Sequence, residues 1–404
     1  MKKIHLVQVT ELNNNKFYDM EENSDGTFKA SWGRIGVTST TKNFPLKQWD
    51  SKYREKLRKG YIDQSRLFIT NTPTQDDISG SKDPEIDGLV KMLRKYAAKS
   101  VDSNYTIDSS QVTLLQVQEA QTVLDNLSKI SLKRFDPGEV NPHLINLYRI
   151  IPRRMGRVQD HLLNKDLKPA ELKKYLQEII SSEQDTLDVM AGQVQTHTNS
   201  ATSGGSNLLD QSGLQLIKFA KTTAEYKLVQ SMMGSEARLL QTVYGVVLDK
   251  TDKQFTKNLN AAKDKTTALY WHGSRNENWW SILTTGLLIR PTNAVISGKM
   301  FGYGIYGADK FQKSYGYTSG TRSYWAKGTN DTAYLGIFQF HMGKTLTISR
   351  HESWCSSLTF EKLRQRGEYD SLTALGGADL RNNEYIVYQE PQLTIKYLIK
   401  VKGE

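Results

Sequence analysis

Three short stretches of this chain carry residue types that can do chemistry together. The densest is residues 298–317, Gly-Lys-Met-Phe-Gly-Tyr-Gly-Ile-Tyr-Gly-Ala-Asp-Lys-Phe-Gln-Lys-Ser-Tyr-Gly-Tyr, rich in glycine and tyrosine and ending in a short helical pattern. Gly302, Gly304 and Gly307 spell G-x-G-x-x-G, whose glycines let a helix N-terminus approach a pyrophosphate in dinucleotide-binding βαβ units. That fingerprint has to follow a buried parallel strand, and Arg290 to Ser297 carries a proline and polar residues instead. What is left is a backbone able to lie flat against a ligand, with Asp309 as the N-cap of a helix beginning near Lys310. On that helix Ser314 and Tyr317 stand at i and i+3, so a hydroxyl and an aromatic ring share one face and can grip a flat, carboxamide-bearing ring. The same composition also suits a turn with aromatic packing. The choice rests on the other two stretches, Trp271-His272-Gly273-Ser274 ahead of the glycines and Asn383-Glu384-Tyr385-Ile386-Val387-Tyr388 behind them.

In this order and at comparable spacing, W-H-G-S-R, then G-x-M-F-G-x-G-I-Y-x-A-D-x-x-x-K-S-x-x-Y, then N-E-Y-I-V-Y resemble the nicotinamide-adenine dinucleotide (NAD) site of the poly(ADP-ribose) polymerase family. Cleaving nicotinamide from ribose passes through an oxocarbenium-like state, so such a site must hold the leaving ring still and place negative charge near the ribose. The resemblance implies that Glu384 hydrogen-bonds the ribose 2′-hydroxyl and orients the nucleophile, while His272 holds the ribose from the other side. It further implies backbone contacts from Gly273 and a hydroxyl contact from Ser314 to the carboxamide, a sandwich of the ring by Tyr306 and Tyr317, and Ser274 and Asn278 at the adenosine end. His272, Tyr306 and Glu384 reproduce the family's His-Tyr-Glu triad, which goes with chain-extending members more often than with single-unit ones. Two departures touch the pocket: Lys299 stands where the nuclear enzymes carry tyrosine, and Gly307 replaces an aromatic. The stretch from Gly343 to Glu384 is also shorter, by about one acceptor-holding loop, which bears on elongation and branching.

These residues need elements to position them. At 404 residues and 38% hydrophobic, the chain has material for two or three soluble domains. A single cysteine, Cys355, allows no intramolecular disulfide, and no Cys/His cluster has metal-ligand spacing, which points to an intracellular chain without structural zinc. No run approaches a membrane span, and Met1-Lys2-Lys3 leads into a strand pattern, not a signal core. A net charge of +11 and a pI near 9.3 favour an acidic partner, with nucleic acid first.

Residues 1–69 read as a small sheet carrying one helix, with alternation at Ile4 to Val9, a turn at Asp25-Gly26 and a helix from about Leu46 to Lys59 stopping at Gly60. Residues 1–70 hold 13 Lys/Arg against 8 Asp/Glu, concentrated at Ser51 to Lys59, although a basic helix is often simply solvated. With Trp32-Gly33-Arg34 between that sheet and helix, the segment resembles the WGR domain of DNA-dependent members of the same family. The resemblance makes Trp32, Arg34, and Lys52 and Arg58 of the basic helix candidates for contacts to DNA ends, with Trp32 equally suited to the core. The family's zinc fingers are not found in this sequence, so DNA sensing would rest on this domain.

Thr70 to Pro84 reads as a linker and residues 85–195 as a helical bundle, with Pro142, Pro152 and Pro169 as punctuation. Its position matches the family's helical regulatory domain, which covers the cofactor site until DNA is bound. Residues 196–207 read as a flexible linker. From 208 to 404 a helix at Ala220 to Met233 and strands at Leu239 to Leu248, Ala333 to Phe340, Thr345 to Ile348, Glu384 to Tyr388 and Leu393 to Val401 predict a split, mostly antiparallel sheet, the ADP-ribosyltransferase fold.

The fold class expected is therefore multidomain α+β. The expected function is an NAD-dependent poly(ADP-ribose) polymerase stimulated by DNA ends, modifying itself or other proteins on acidic or hydroxyl side chains. NAD is its substrate, with no prosthetic group and no metal, and the chain is a monomer without DNA that meets no membrane. It would sit in the nucleus of a eukaryote or the cytoplasm of a bacterium. The alternatives are single-unit transfer and a non-catalytic module that binds DNA ends and NAD.

Overall fold

The computed structural model describes residues 2–65, 81–107, 109, 112–131, 134–164, 166–202, 207–289, 300–320 and 330–403. The expectations for Arg290 to Ser297, for Lys299 and for 70–80 lie outside the described residues. The chain divides into two compact units, residues 1–74 with 98–197, and residues 75–97 with 198–404. Among the described residues no helix is long and apolar enough to cross a membrane.

The first unit begins with strands β1 (Lys3–Val9), β2 (Asn15–Glu22), β3 (Thr27–Arg34), β4 (Thr40–Pro45) and β5 (Ile62–Asp63), in antiparallel order β4-β3-β2-β1-β5. Period-two alternation puts Leu6, Tyr18, Met20, Phe28 and Ala30 on one face, where they bury against Trp49 of helix α1 (Trp49–Arg58). The β2–β3 turn falls at Gly26 (φ 77°), and α1 stops before Gly60 (φ 83°), both left-handed positions that suit glycine.

Helix α2 (Pro84–Asn104) belongs to the second unit through Ala97 and to the first from Ala98. Helices α3 (Leu114–Ser131), α4 (Pro137–Ile150) and α5 (Pro169–Thr202) follow in the first unit's sequence. Asp136 caps α4 by accepting from the amides of Gly138 (2.7 Å) and Glu139 (3.1 Å), and Pro169 occupies the first position of α5. Pro142, expected as a break, lies inside α4. A buried ion pair joins Arg153 to Glu183 of α5 (2.8 Å), with the Tyr105 ring 4.5 Å under the guanidinium.

The flexible linker expected over 196–207 is corrected in its first half, because α5 continues to Thr202. A helix already nucleated adds each further residue at little cost, so a stretch without an apolar period can still extend it. Residues 203–206 lie outside the described residues, and Asn207 caps the next helix.

The second unit carries α6 (Leu208–Ser212), β6 (Leu214–Phe219), α7 (Ala224–Met233), β7 (Leu240–Leu248), α8 (Asp249–Ala261), β8 (Thr267–Gly273), α9 (Trp279–Thr285), β9 (Ile305–Gly307), α10 (Phe311–Tyr315), β10 (Thr332–His341), β11 (Thr345–Ile348), α11 (Phe360–Gln365), β12 (Ser371–Ala374), β13 (Glu384–Val387) and β14 (Leu393–Lys402). One antiparallel sheet has the order β6-β7-β14-β10-β8. The other runs β11-β12-β13-β9, with β11 and β12 parallel and the remaining pairs antiparallel. Although only residues 388–392, with the turn at Glu390–Gln392, separate them, β13 and β14 lie in different sheets.

Trp271, Phe311, Tyr315, Leu335, Ile337 and Ile399 bury one core of this unit, and Phe301, Leu358, Leu363, Leu372, Ile386 and Tyr388 bury another. The two sheets meet at a bridge in which Trp271 and Ala308 exchange both backbone hydrogen bonds, at 2.8 and 3.0 Å.

Candidate active site

The three stretches singled out above converge where the two sheets meet. Trp271-His272-Gly273 ends β8 of one sheet, Tyr306 is the middle of β9 and Glu384 the first residue of β13 in the other. The register sets Ile386 opposite Tyr306, so Glu384 emerges just beyond the paired part of β9. An acid in the interior of a four-stranded sheet is not a solvated edge residue: the Glu384 side chain is 15% exposed.

His272 turns Nδ1 toward the Tyr306 carbonyl at 3.0 Å. A carbonyl only accepts, so Nδ1 holds the proton and the ring's orientation is set by β9. The Tyr306 hydroxyl donates to the Gly302 carbonyl (3.1 Å) and accepts from the Phe301 amide (3.2 Å), while the Tyr388 hydroxyl donates to the Phe301 carbonyl (2.7 Å). The glycine-rich segment is thereby clamped by two phenols. Burial, and then the Glu384 carboxylate, hold the Tyr306 phenol well above its usual range, so it stays a neutral donor.

Gly273 has no room for a side chain: a Cβ there would lie 1.8 Å from the Ser314 carbonyl oxygen. This contact packs the end of β8 against α10, with Ser314 buried beside it. Tyr317 lies beyond the end of α10, not on it. Its amide donates to the Ser314 carbonyl (3.1 Å), and the residue is 41% exposed. Burial, followed by the Glu384 charge, raises the Tyr317 phenol as well. Ser274 and Asn278 form a local pair, the amide nitrogen donating to the serine hydroxyl at 2.9 Å.

Asp309 is not the helix cap expected of it. Lys310 occupies that position, with no side-chain capping bond, and the Asp309 carboxylate instead accepts from Asn383 and Tyr385. At Gly307, where family resemblance expects an aromatic, a Cβ would come within 2.7 Å of Tyr270 Cβ and 3.0 Å of the Phe340 ring, so those side chains occupy the space.

One residue of the site escaped sequence reasoning. Lys313 Nζ lies 2.5 Å from Glu384 Oε1 and donates to the Asn383 carbonyl at 3.3 Å. Its place just before Ser314 in the K-S pair was visible, but not the carboxylate that it faces.

In the N-terminal sheet, Trp32 stacks on Tyr18 (centroids 5.8 Å, 25°). The Arg34 guanidinium donates to the backbone carbonyl (3.1 Å) and side-chain oxygen (3.2 Å) of Asn13 and also to the Gly156 carbonyl. Asn13 in turn accepts from the Val158 amide (2.9 Å), and Arg149 donates to the Val9 carbonyl (2.5 Å). Arg34 thus ties the sheet to the helical segment of the same unit. Lys52 lies near Glu55 (3.5 Å) and over the Phe44 ring (5.1 Å), and Arg58 ends α1 exposed to solvent.

Residues 223–403 match the poly(ADP-ribose) polymerase catalytic domain, and residues 2–67 match the WGR domain. The putative poly(ADP-ribose) polymerase-like protein 100L of Invertebrate iridescent virus 6 is 34% identical over 39% of this chain and 84% of its own length. The chain belongs to the poly(ADP-ribose) polymerase family. The uncharacterized protein 101L of the same virus is 30% identical over 48% of this chain and 78% of its own. Poly(ADP-ribose) polymerase 2 of Arabidopsis thaliana is 23% identical over 96% of this chain and 71% of its own, a similarity that runs through both matched domains and the helices between them. As a family member with this catalytic domain, the chain is an NAD-dependent ADP-ribosyltransferase.

Proposed function

We propose that the chain is a DNA-end-stimulated poly(ADP-ribose) polymerase in which His272, Tyr306 and Glu384 act on NAD. The observation that carries this reading is the Lys313-held Glu384 carboxylate at the sheet junction, on the strand paired with that of Tyr306, whose carbonyl meets His272 Nδ1. Tyr306 and Tyr317 sandwich the nicotinamide ring, and Gly273 and Ser314 hold its carboxamide. His272 and Glu384 hold the ribose, the latter through the 2′-hydroxyl. The bond between the anomeric carbon and the pyridinium nitrogen breaks with its electron pair going to nitrogen, so nicotinamide leaves neutral. Glu384 stabilises the cationic ribose that develops, an electrostatic role worth most where water is excluded. An acceptor oxygen, hydroxyl or carboxylate, then bonds to that carbon, and a hydroxyl acceptor passes its proton toward Glu384.

The WGR match and the excess of basic residues support DNA ends as the stimulus, with the helices of residues 85–195 as the restraining element and an intracellular setting. A second reading, single-unit transfer, is favoured by one feature: only residues 375–383 connect β12 to β13 beside Glu384, a short wall for a growing chain.

The test is incubation of the full chain with labelled NAD, with and without a short blunt duplex, on a denaturing gel, with Glu384→Gln alongside. A DNA-dependent smear lost in the variant is expected. A sharp band would establish single-unit transfer, and label retained in the variant would remove Glu384 from the chemistry.

A further inference from the structure

The carboxylate of Asp309 does not cap α10, yet it accepts two hydrogen bonds of good length. One comes from Asn383 Nδ2 at 3.0 Å and the other from the Tyr385 hydroxyl at 3.1 Å. These two residues flank Glu384 in the chain. Strand alternation sends the Tyr385 side chain to the face opposite the glutamate, and Asn383, just before the strand, bonds the same Asp309 oxygen, so a single acid grips both neighbours of the acid proposed to act in the site.

Each neighbour is anchored further. Asn383 Oδ1 accepts from the Gly376 amide (2.9 Å), its carbonyl accepts from Lys313 (3.3 Å), and Tyr385 stacks on Tyr270 with ring centroids 4.0 Å apart and planes 17° apart. The position of Asp309 is itself fixed, because the preceding residue, Ala308, forms the bridge to Trp271 that joins the two sheets. Tyr385 also faces Gly307 across the β13–β9 ladder, where a side chain would displace Tyr270. Asp309 therefore connects the sheet junction to the two residues that decide where β13 begins.

We propose that Asp309, acting through Asn383 and Tyr385, is a positioning residue that sets the placement of Glu384 relative to His272. This inference rests on the reading of Glu384 as the acting carboxylate. A strand's first residue is where a ladder frays, and Glu384 is that residue, paired on one side with Ala374 and lying beyond the end of the β9 pairing on the other. Charge-assisted bonds to its two neighbours replace the ladder bonds that the end of a strand lacks. A displacement of about 1 Å at a reacting centre can cost on the order of a hundredfold in rate, so a side chain that never meets substrate can still govern turnover.

The experiment uses the full chain with blunt duplex present. Nicotinamide release, binding of a non-hydrolysable NAD analogue and thermal unfolding are measured for Asp309→Ala, Asp309→Asn, the pair Asn383→Ala with Tyr385→Phe, and the triple variant that adds Asp309→Ala to that pair. Asp309→Ala is expected to lower kcat by roughly ten- to a hundredfold while analogue affinity stays within about twofold. Asp309→Asn, which keeps one acceptor oxygen, should fall between that variant and the parent. The triple variant should turn over no more slowly than Asp309→Ala, because the grip is already lost. Unchanged kcat in Asp309→Ala overturns the proposal, as does a loss of kcat matched by equal losses in analogue affinity and thermal stability, or a triple variant whose losses multiply. Glu384→Gln keeps the two ideas apart. Turnover retained there defeats the reading of Glu384 itself, whereas a dead Glu384→Gln beside a fully active Asp309→Ala defeats only the positioning role.

Discussion

Lys313 Nζ stands 2.5 Å from Glu384 Oε1, with both side chains about one-sixth exposed or less. The cation comes from the middle of α10 and the carboxylate from the first residue of β13, so the pair is made only when the glycine-rich segment and the last stretch of the site are both in place. A carboxylate meant to face a developing cation gains by being held in one rotamer beforehand. Replacing Lys313 by Met is expected to lower kcat about a hundredfold with affinity for a non-hydrolysable NAD analogue changed by no more than roughly threefold. Steady-state kinetics beside equilibrium binding checks it, and a loss confined to affinity would contradict the role.

Gly273 admits no Cβ, since the Ser314 carbonyl would stand 1.8 Å away. Gly273→Ala has to push α10 off β8. We expect unfolding free energy to drop by about 1–3 kcal/mol and NAD analogue binding to fall at least tenfold. A variant that binds as the parent does would show that Gly273 backbone groups are not part of the grip.

Burial, with Glu384 second, raises the Tyr306 and Tyr317 phenols above the ordinary value of 10.0. The unfolded chain then loses these protons at lower pH than the folded one. Stability from the shift is complete below about pH 10 and is lost as pH rises from there toward the folded-state values, at up to about 1.4 kcal/mol per pH unit for the buried Tyr306 and less for the more exposed, solvent-screened Tyr317. Denaturant melts between pH 9 and 11 should show this decline (roughly the range where an ordinary tyrosine ionises), and Tyr306→Phe should make it shallower by that one tyrosine's share, the other buried tyrosines keeping theirs.

The Arg153–Glu183 pair, buried beside Tyr105, makes a contrasting prediction for the first unit. Removing only the arginine, as Arg153→Met, leaves a carboxylate in an apolar interior and is expected to cost about 3–5 kcal/mol. Adding Glu183→Leu should restore most of that loss. Chemical denaturation of the single and double variants decides it, and a double variant as unstable as the single one would mean that the charges organise the helices in some way beyond their own pairing.

Arg34 on one side, and Lys52 and Arg58 of α1 on the other, are two kinds of basic residue. Arg34 spends its guanidinium on Asn13 and Gly156, so Arg34→Ala should destabilise the first unit by about 1–3 kcal/mol. Lys52→Ala with Arg58→Ala should leave stability almost unchanged. If these two residues meet phosphates, the double variant reduces the slope of log affinity against log salt for a blunt duplex by about one per contact removed. Identical salt slopes for parent and double variant would take α1 out of the DNA reading.

Strand β1, with its partial alternation, and the longer helices α4 and α5 were legible because burial imposes a period of two or of 3.6 on their apolar residues, and β10 because its run is apolar almost throughout. The three-residue β9 was not, since Ile305–Gly307 holds too few positions to show a period, and β12 was not read either. His272, Tyr306 and Glu384 could be found because they sit in dense local motifs. Lys313 could not, since its partner is 71 positions away and nothing local marks an ion pair of that separation. Asp309 misled for a related reason. An aspartate ahead of a helix ordinarily caps it, but here two long-range donors outcompete the local amides for the same oxygen.

The junction at Trp271 and Ala308 gives the molecule an internal gauge. Both amides are spent on one reciprocal pair of bonds between strands of different sheets, with no longer ladder to protect them. Their exchange with deuterium therefore reports how often the two sheets part, and with them the walls bearing His272 and Glu384. A bound ligand that spans both walls should slow these two amides together and leave those at the far edge, on β6, unaffected.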